Sequence, residues 1–373
     1  MPEGHTLHRL ARSVRDAFGG RVVEASSPQG RFADGAALLD GHRVVRSDAV
    51  GKHLLVGFSP AAASARREPQ RWLHVHLGLY GKVFFGAADA GVDAAVDRGE
   101  RDDDGERGGA AAGPPAPVGQ VRLRLVTLDA AEGAGPLRWA DLRGPTACEV
   151  MVRPEVDALR ARLGPDPLRA DDGPERFVER AGRSRVTVGA LLMHQDVLAG
   201  AGNIYRAEAL FRAGVDPFAA GRDVEPERLE GIYEDLRVLM RAGVRSGRIV
   251  TTRPVDRGKR DDEVDGTPVR RGQAGAHYVY RRTGLPCRLC STPVSTTVVE
   301  GRNLFWCPSC QAPRHAGLAL RGLTLSAAPS PALSRASAGG GGSSSALSRA
   351  SAGGGWGTRP GVGERRRGVV RPY

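Results

Sequence analysis

Pro2 and Glu3, at the start of the chain, are a pair able to do covalent chemistry. Loss of Met1 would leave Pro2 with a free secondary amine. An α-amino group titrates near pH ~8, below a lysine ammonium, so a useful fraction is neutral and nucleophilic at neutral pH. Such an amine attacks a carbonyl-like carbon and forms a Schiff base. The Glu3 carboxyl beside it is a possible proton donor. Proline at position 2 is also common in chains with no such chemistry, so the pair does not decide the matter alone.

Four of the five cysteines form two Cys-x-x-Cys pairs, Cys287/Cys290 and Cys307/Cys310. Each pair can offer two thiolates to one tetrahedral ion, and four thiolates suit Zn²⁺ with no open position, which makes the metal structural. A redox dithiol would need only one pair. Between the pairs, Thr296–Val299 and Leu304–Trp306 flank a turn, so the segment is expected to be a β-hairpin ribbon with Arg302 at its tip. A guanidinium there suits phosphate; a solvated turn arginine is the plain alternative. Cys148 is left without a partner and is expected in the core.

Leu192–Glu208 is the next informative stretch. A helix should end at Gly200-Ala201-Gly202 and another begin at Asn203, a candidate N-cap. The glycines allow close backbone approach, and the new helix offers unpaired N–H groups, so the turn is expected to bind an anion. An ordinary helical turn in a core is the competing reading. Lys52 follows Gly51 at a turn between two strands. Lys52, Lys82 and Lys259 are the lysines among 54 basic side chains, so a lysine at a turn hints at a compact, mobile cation.

The elements that must hold these residues can be traced in order. Residues 5–18 carry apolar side chains at helical spacing, and Gly19-Gly20 ends the run. Short strands are expected at Arg21–Ala25, Arg43–Val50, His53–Phe58, Trp72–Leu79, Lys82–Gly86, Val121–Leu128 and Leu137–Asp141, which argues for a sandwich or barrel. The stretch 87–119, rich in Ala, Gly, Asp and Pro, is expected to be a disordered acidic insertion. A short helix is expected over Ala158–Leu163. Further helices are expected at Glu175–Ala181, Val188–Val197, Ile204–Ala213 and Glu225–Ser246, then a polar, mobile loop over Thr251–Gly275. The stretch 324–373 contains a repeated Ala-Leu-Ser-Arg-Ala-Ser-Ala-Gly-Gly segment and Arg365-Arg366-Arg367, and reads as a structureless tail.

The 373 residues are enough for more than one domain, and a net charge of +12 with a pI near 10.2 points to a polyanionic partner, most often nucleic acid. No run of ~18 apolar residues and no signal-peptide pattern is present. Paired cysteines with metal spacing indicate a reducing compartment.

Taken together, Pro2-Glu3-Gly4, Gly51-Lys52, Ala201-Gly202-Asn203-Ile204-Tyr205 and the four-cysteine ribbon with Gly301-Arg302 resemble the formamidopyrimidine-DNA glycosylase / endonuclease VIII family. The resemblance covers about residues 2–320 apart from 87–119. Pro2–Leu10 and Gly301–Pro308 look most like its actinobacterial endonuclease VIII branch. It implies an α+β fold with three parts. These are an N-terminal catalytic β-sandwich with a helix over 2–150, a helix-two-turn-helix domain over 151–276 and a zinc finger over 277–315. It implies a bifunctional DNA glycosylase and abasic-site lyase of base-excision repair with one structural Zn²⁺. The protein would be a monomer acting on damaged DNA in the bacterial cytoplasm, at the nucleoid.

By that resemblance Pro2 attacks C1′ of a flipped-out nucleotide. Glu3 moves protons, Lys52 engages phosphate and supports β- and δ-elimination, and Asn203 and Arg302 hold flanking phosphates. Leu79 and Tyr80 match the family's gap-filling position, with core packing the alternative for Leu79. Asp141-Leu142-Arg143-Gly144-Pro145 stands where the purine-lesion branch carries Arg-Phe. Arg143 would still touch the unpaired strand, and the missing Phe favours oxidised pyrimidines. A non-catalytic zinc-finger protein that holds damaged or abasic DNA is the rival reading; it would need neither Pro2 nor Glu3. An RNA-processing enzyme is a weaker third.

Overall fold

In a computed structural model of the chain, which describes residues 2–64, 67–87, 90–93, 114–128, 136–257 and 275–313, helix α1 (Gly4–Phe18) begins directly after Glu3. Its Leu7, Leu10, Ala11, Val14 and Phe18 are buried, the single apolar stripe that helical spacing requires. After Gly19-Gly20 the chain enters β1 (Val22–Ser26), a short helix α2 (Ala33–Leu39), β2 (His42–Val50), β3 (His53–Pro60) and β4 (Arg71–His76). Then come β5 (Lys82–Ala87), β6 (Ala90–Asp93), β7 (Val121–Thr127), β8 (Arg138–Arg143) and β9 (Ala147–Met151).

These strands form one antiparallel sheet in the order β6-β5-β8-β7-β1-β2-β3-β4-β9. Leu7, Leu10 and Phe18 of α1 share a core with Val23, Val44, Leu54 and Val75 from one half of the sheet and with Phe85, Leu123 and Leu142 from the other. The expected sandwich is therefore a continuous sheet whose halves meet around α1. A second cluster covers the other face of β3 and β4, where Leu55 and Trp72 pack with Val156, Leu159 and Leu163.

Several expectations need correction. The strand placed over Trp72–Leu79 stops at His76, because the chain turns through Gly78 at φ +67°. Residues 77–81 are a turn closed by the Gly81 N–H donating to the Leu77 carbonyl at 2.9 Å. The strand expected at Leu137–Asp141 is β8, and one that was not expected follows it: β9 docks on β4, with His74 opposite Glu149. Strand β6 pairs with β5, so part of the stretch expected to be disordered is sheet edge. Residues 88–89 and 94–113 of that insertion, and the tail 324–373, lie outside the described residues.

Helix α3 (Arg153–Arg162) starts earlier than expected, with Pro154 in its first turn and the Glu155 carboxylate accepting the Val152 N–H at 2.9 Å. Helices α4 (Glu175–Gly182), α6 (Asn203–Arg212) and α7 (Pro226–Ser246) fall where the periodicity placed them. Helix α5 (Val188–Leu191) is shorter than expected and gives way to turns. Phe177, Leu192, Tyr205, Leu210, Tyr233, Leu236 and Met240 form the core of this helical part. The Thr251–Gly275 loop opens on buried residues, since Thr251 N–H donates to the Ala276 carbonyl at 2.8 Å; residues 258–274 lie outside the described residues.

Strands β10 (Ser295–Val299) and β11 (Arg302–Trp306) form the expected hairpin. Glu300 and Gly301 at its tip have φ +53° and +67°, the two positive values that a tight type I′ turn requires. Phe305, Cys287 and Cys307 pack against Ala207 and Phe211 of α6.

Candidate active site

Glu3 is the N-cap residue of α1, yet its side chain is spent on another helix. Its carboxylate accepts N–H groups from Gly202 at 2.9 Å, Ile204 at 2.8 Å and Tyr205 at 3.4 Å. These are the orphan donors at the start of α6. The anion site read from the glycine turn is thus filled by the chain's own carboxylate. Asn203 is not the cap: Gly202 holds that position and α6 starts at Asn203. A side chain at Gly202 would run into the Glu3 carboxyl, and one at Gly4 into the Gly200 backbone. Gly4 N–H donates to the Gly200 carbonyl at 2.8 Å. The N-terminal tripeptide is therefore locked onto the helical turn, with Pro2 half-buried at its edge.

Burial pushes the Glu3 carboxyl above its ordinary value, against the Lys52 charge and the three N–H groups that stabilise the anion. Burial thus favours the protonated carboxyl, the form that can give a proton to a reacting atom. Lys52 follows Gly51, whose φ of +56° lets the β2–β3 turn lie against Ala199. Burial lowers the ammonium to about 8; Glu3 opposes that shift and Arg302 adds to it. Glu3, Lys52 and Arg302 come from the N-terminus, a sheet turn and the first position of β11, one residue past the hairpin tip where the sequence placed Arg302, and each feels the next.

Asn203 is buried, and its side-chain oxygen accepts from the Arg206 guanidinium. Arg206 also donates to the Asn303 carbonyl at 3.1 Å, tying α6 to β11 just below Arg302. Leu79 is 54 % exposed and Tyr80 80 %, so neither is core. Their turn lies beside Gly144, whose added side chain would reach the Tyr80 carbonyl. Next to Gly144, the Arg143 guanidinium sits 4.3 Å from the centre of the Phe84 ring and 3.6 Å from Asp141. The Leu79-Tyr80 turn and Arg143 thus lie close together. Cys148 is half-buried against the N-terminal core, and its thiol is pushed up by burial to about 12.

The sulfur atoms of Cys287, Cys290, Cys307 and Cys310 all lie within 4.8 Å of one another. Two of the separations are 3.8 and 3.4 Å. Zn–S bonds of ~2.3 Å in a tetrahedron put sulfurs about 3.8 Å apart, so the set fits one closed, structural Zn²⁺.

Three family models match the chain: the formamidopyrimidine-DNA glycosylase N-terminal domain over residues 1–148, the glycosylase H2TH domain over 163–254, and a zinc finger found in FPG and IleRS over 284–313. Endonuclease 8 1 of Mycobacterium tuberculosis is 42% identical over 311 residues, 83% of this chain and 100% of that protein. The chain belongs to the formamidopyrimidine-DNA glycosylase / endonuclease VIII family. It is a DNA glycosylase and abasic-site lyase of base-excision repair.

Among solved structures, MutM (Fpg) from Thermus thermophilus matches with a TM-score of 0.55 and 26% identity, over 83% of this chain and 98% of that one. The Lactococcus lactis Fpg in complex with abasic-site DNA matches with a TM-score of 0.58 and 18% identity, over 83% and 100%; that likeness speaks to the fold.

Three residues of the glycosylase escape sequence reasoning. Asp166 is buried and accepts from Gly51 N–H at 2.7 Å, with His8 at 2.8 Å on the same oxygen, which fixes the backbone just before Lys52. Glu208 is buried and accepts from the N–H groups of Tyr278, Val279 and Tyr280, each at 2.8 Å, pinning the lead-in to the ribbon. Arg206 is the third. The signal for Asp166 was available: an acid between two prolines in Gly164-Pro165-Asp166-Pro167 has no local helix to join.

Proposed function

We propose that Pro2, freed by loss of Met1, is the nucleophile that attacks C1′ of a flipped-out damaged nucleotide. The observation that carries this reading is the seat of Glu3, buried on the α6 N-terminus beside the Lys52 charge. A binding module needs no such carboxyl. As the Pro2 nitrogen bonds to C1′, the C1′–N bond to the base breaks and the base leaves with a proton. Glu3 donates to the ring oxygen as the sugar opens to the Schiff base. The iminium acidifies C2′–H, and its loss expels the 3′ phosphate; a second elimination expels the 5′ phosphate.

Lys52 and Arg302 supply positive charge for the phosphates around the lesion, and Asn203 supports the same grip through Arg206, which ties α6 to β11 beside Arg302. Leu79 or Tyr80 fills the gap left by the flipped nucleotide, and Arg143 meets the unpaired strand. The exposed Leu79-Tyr80 turn, with no Phe after Arg143, favours oxidised pyrimidines over oxopurines. The protein acts as a monomer on damaged DNA, in the cytoplasm at the nucleoid. Its strong positive charge supports that partner.

Abasic-site DNA mixed with the protein and then reduced with borohydride should give a covalent adduct, lost in Pro2→Gly and when a residue is retained before Pro2. Tight binding without an adduct would sink the nucleophile assignment. In a lesion panel, duplexes with oxidised pyrimidines should be cut faster than those with oxopurines; the reverse order would reject the specificity.

A further inference from the structure

One face of β3, β4 and β9 buries Leu55, Trp72 and Met151 near α3. At its Lys52 end the same face carries four polar side chains: His53 opposite His76, and His74 opposite Glu149. Polar groups on such a face need a reason. His74 is buried, its Nδ1 lies 2.7 Å from Glu149 Oε1, and its Nε2 lies 2.8 Å from His53 Nδ1. Glu149 is 54 % exposed.

The bonds have a direction. A carboxylate only accepts, so His74 Nδ1 carries a proton. In the neutral ring His74 Nε2 then accepts, and His53 Nδ1 must donate. His53 Nε2 is left with a lone pair, and among the described residues it has no hydrogen-bond partner. The groups facing His53 are Lys52 at the turn, His76 on β4, His74 and Arg162 at the end of α3. Burial and these neighbours lower the His53 imidazole to about 3, which keeps the resting ring neutral.

We propose that Glu149, His74 and His53 form a proton relay between solvent and the turn that carries Lys52, serving both chemical steps of the glycosylase. This rests on the lyase chemistry described above. Elimination releases a proton from C2′. A proton taken up at His53 Nε2 lets the Nδ1 proton pass to His74 Nε2, and the His74 Nδ1 proton pass to Glu149, which gives it to water. Both rings end neutral with their protons moved to the other nitrogen. Base departure in the next turnover consumes a proton. Glu149 takes one from water, the reverse transfers deliver one from His53 Nε2, and the starting tautomers return.

His74→Gln keeps a donor for Glu149 and an acceptor for His53 but cannot relay, and Glu149→Gln keeps an acceptor for His74 at the exposed end. Single-turnover cleavage of abasic-site DNA is followed across pH in weak buffer, with and without added imidazole. Both variants should cleave about tenfold slower, a fraction of the ~10²–10⁴ that a directly acting acid–base group contributes. Their pH–rate profiles should shift, and imidazole should restore the rate. Wild-type rates and profiles in both variants overturn the relay, as does a loss that imidazole does not restore, which would make the bonds structural. Should His74→Gln fail to fold, Glu149→Gln alone gives the same readouts. Failure of the lyase reading looks different: the unaltered protein would then form no borohydride adduct.

Discussion

Lys52 sets the pH at which the candidate site changes charge. Burial lowers its ammonium to about 8, so the charge is present below that pH and lost above it. Phosphate binds the charged form, so affinity for DNA carrying a non-cleavable abasic analogue should be level below pH 8 and fall above it. The fall is at most about tenfold per pH unit. Lys52→Arg keeps a permanent charge and should flatten this dependence, while its planar fork cannot replace the compact amine in elimination. Equilibrium binding against pH on the two proteins checks this; an unchanged fall in Lys52→Arg would assign the titration elsewhere. Pro2, Glu3 and Lys52 stood out in the sequence because residues of their types can carry Schiff-base and proton-transfer chemistry. What Glu3 touches was not legible, since its partners lie about two hundred residues on, at Gly202 and Ile204, and no local pattern encodes that contact.

At the scale of elements, the ribbon depends on two independent anchors. Zinc joins its cysteine turns, and Glu208 holds the three N–H groups that lead into it. Cys290→Ser opens the tetrahedron, and Arg302 loses its mount; zinc content and strand cleavage should fall together. A variant still zinc-loaded and active would refute the ribbon's role. Glu208→Ala strands three N–H groups at ~1–3 kcal/mol each, so stability should drop by more than ~3 kcal/mol, read as a lower melting midpoint with the metal still in place. Helices α4, α6 and α7 and the ribbon were legible because long periodic runs and paired cysteines are local signals. Strand β9 and helix α2 were missed because they are short, and β9 is a strand by virtue of its place beside β4. Where Trp72–Leu79 read as a single strand, Gly78 turns the chain and puts Leu79 and Tyr80 on the surface.

Across the molecule, the N-terminus, a sheet turn and the ribbon each bring one cation or carboxylate to a common place beside the helical turn. The Glu3–α6 contact, the Asp166–Gly51 contact and the Arg206–Asn303 contact hold those pieces in register. The charges proposed to meet DNA are spread over separate elements rather than concentrated in one motif, and their contributions should separate by salt. Each phosphate neutralised adds about −0.9 to the slope of log affinity against log salt. Lys52, Arg302 and Arg143 together give a slope of about −2.7. Arg302→Ala should make it shallower by about 1 without altering which lesion is preferred, because a phosphate contact positions and does not read the base. Tyr80→Ala should do the opposite, leaving the slope intact while slowing excision from duplex DNA more than cleavage of single strands, where no stack has to be refilled. A Tyr80→Ala protein that lost slope and kept duplex excision would make that side chain a backbone contact and take the wedge role from this turn.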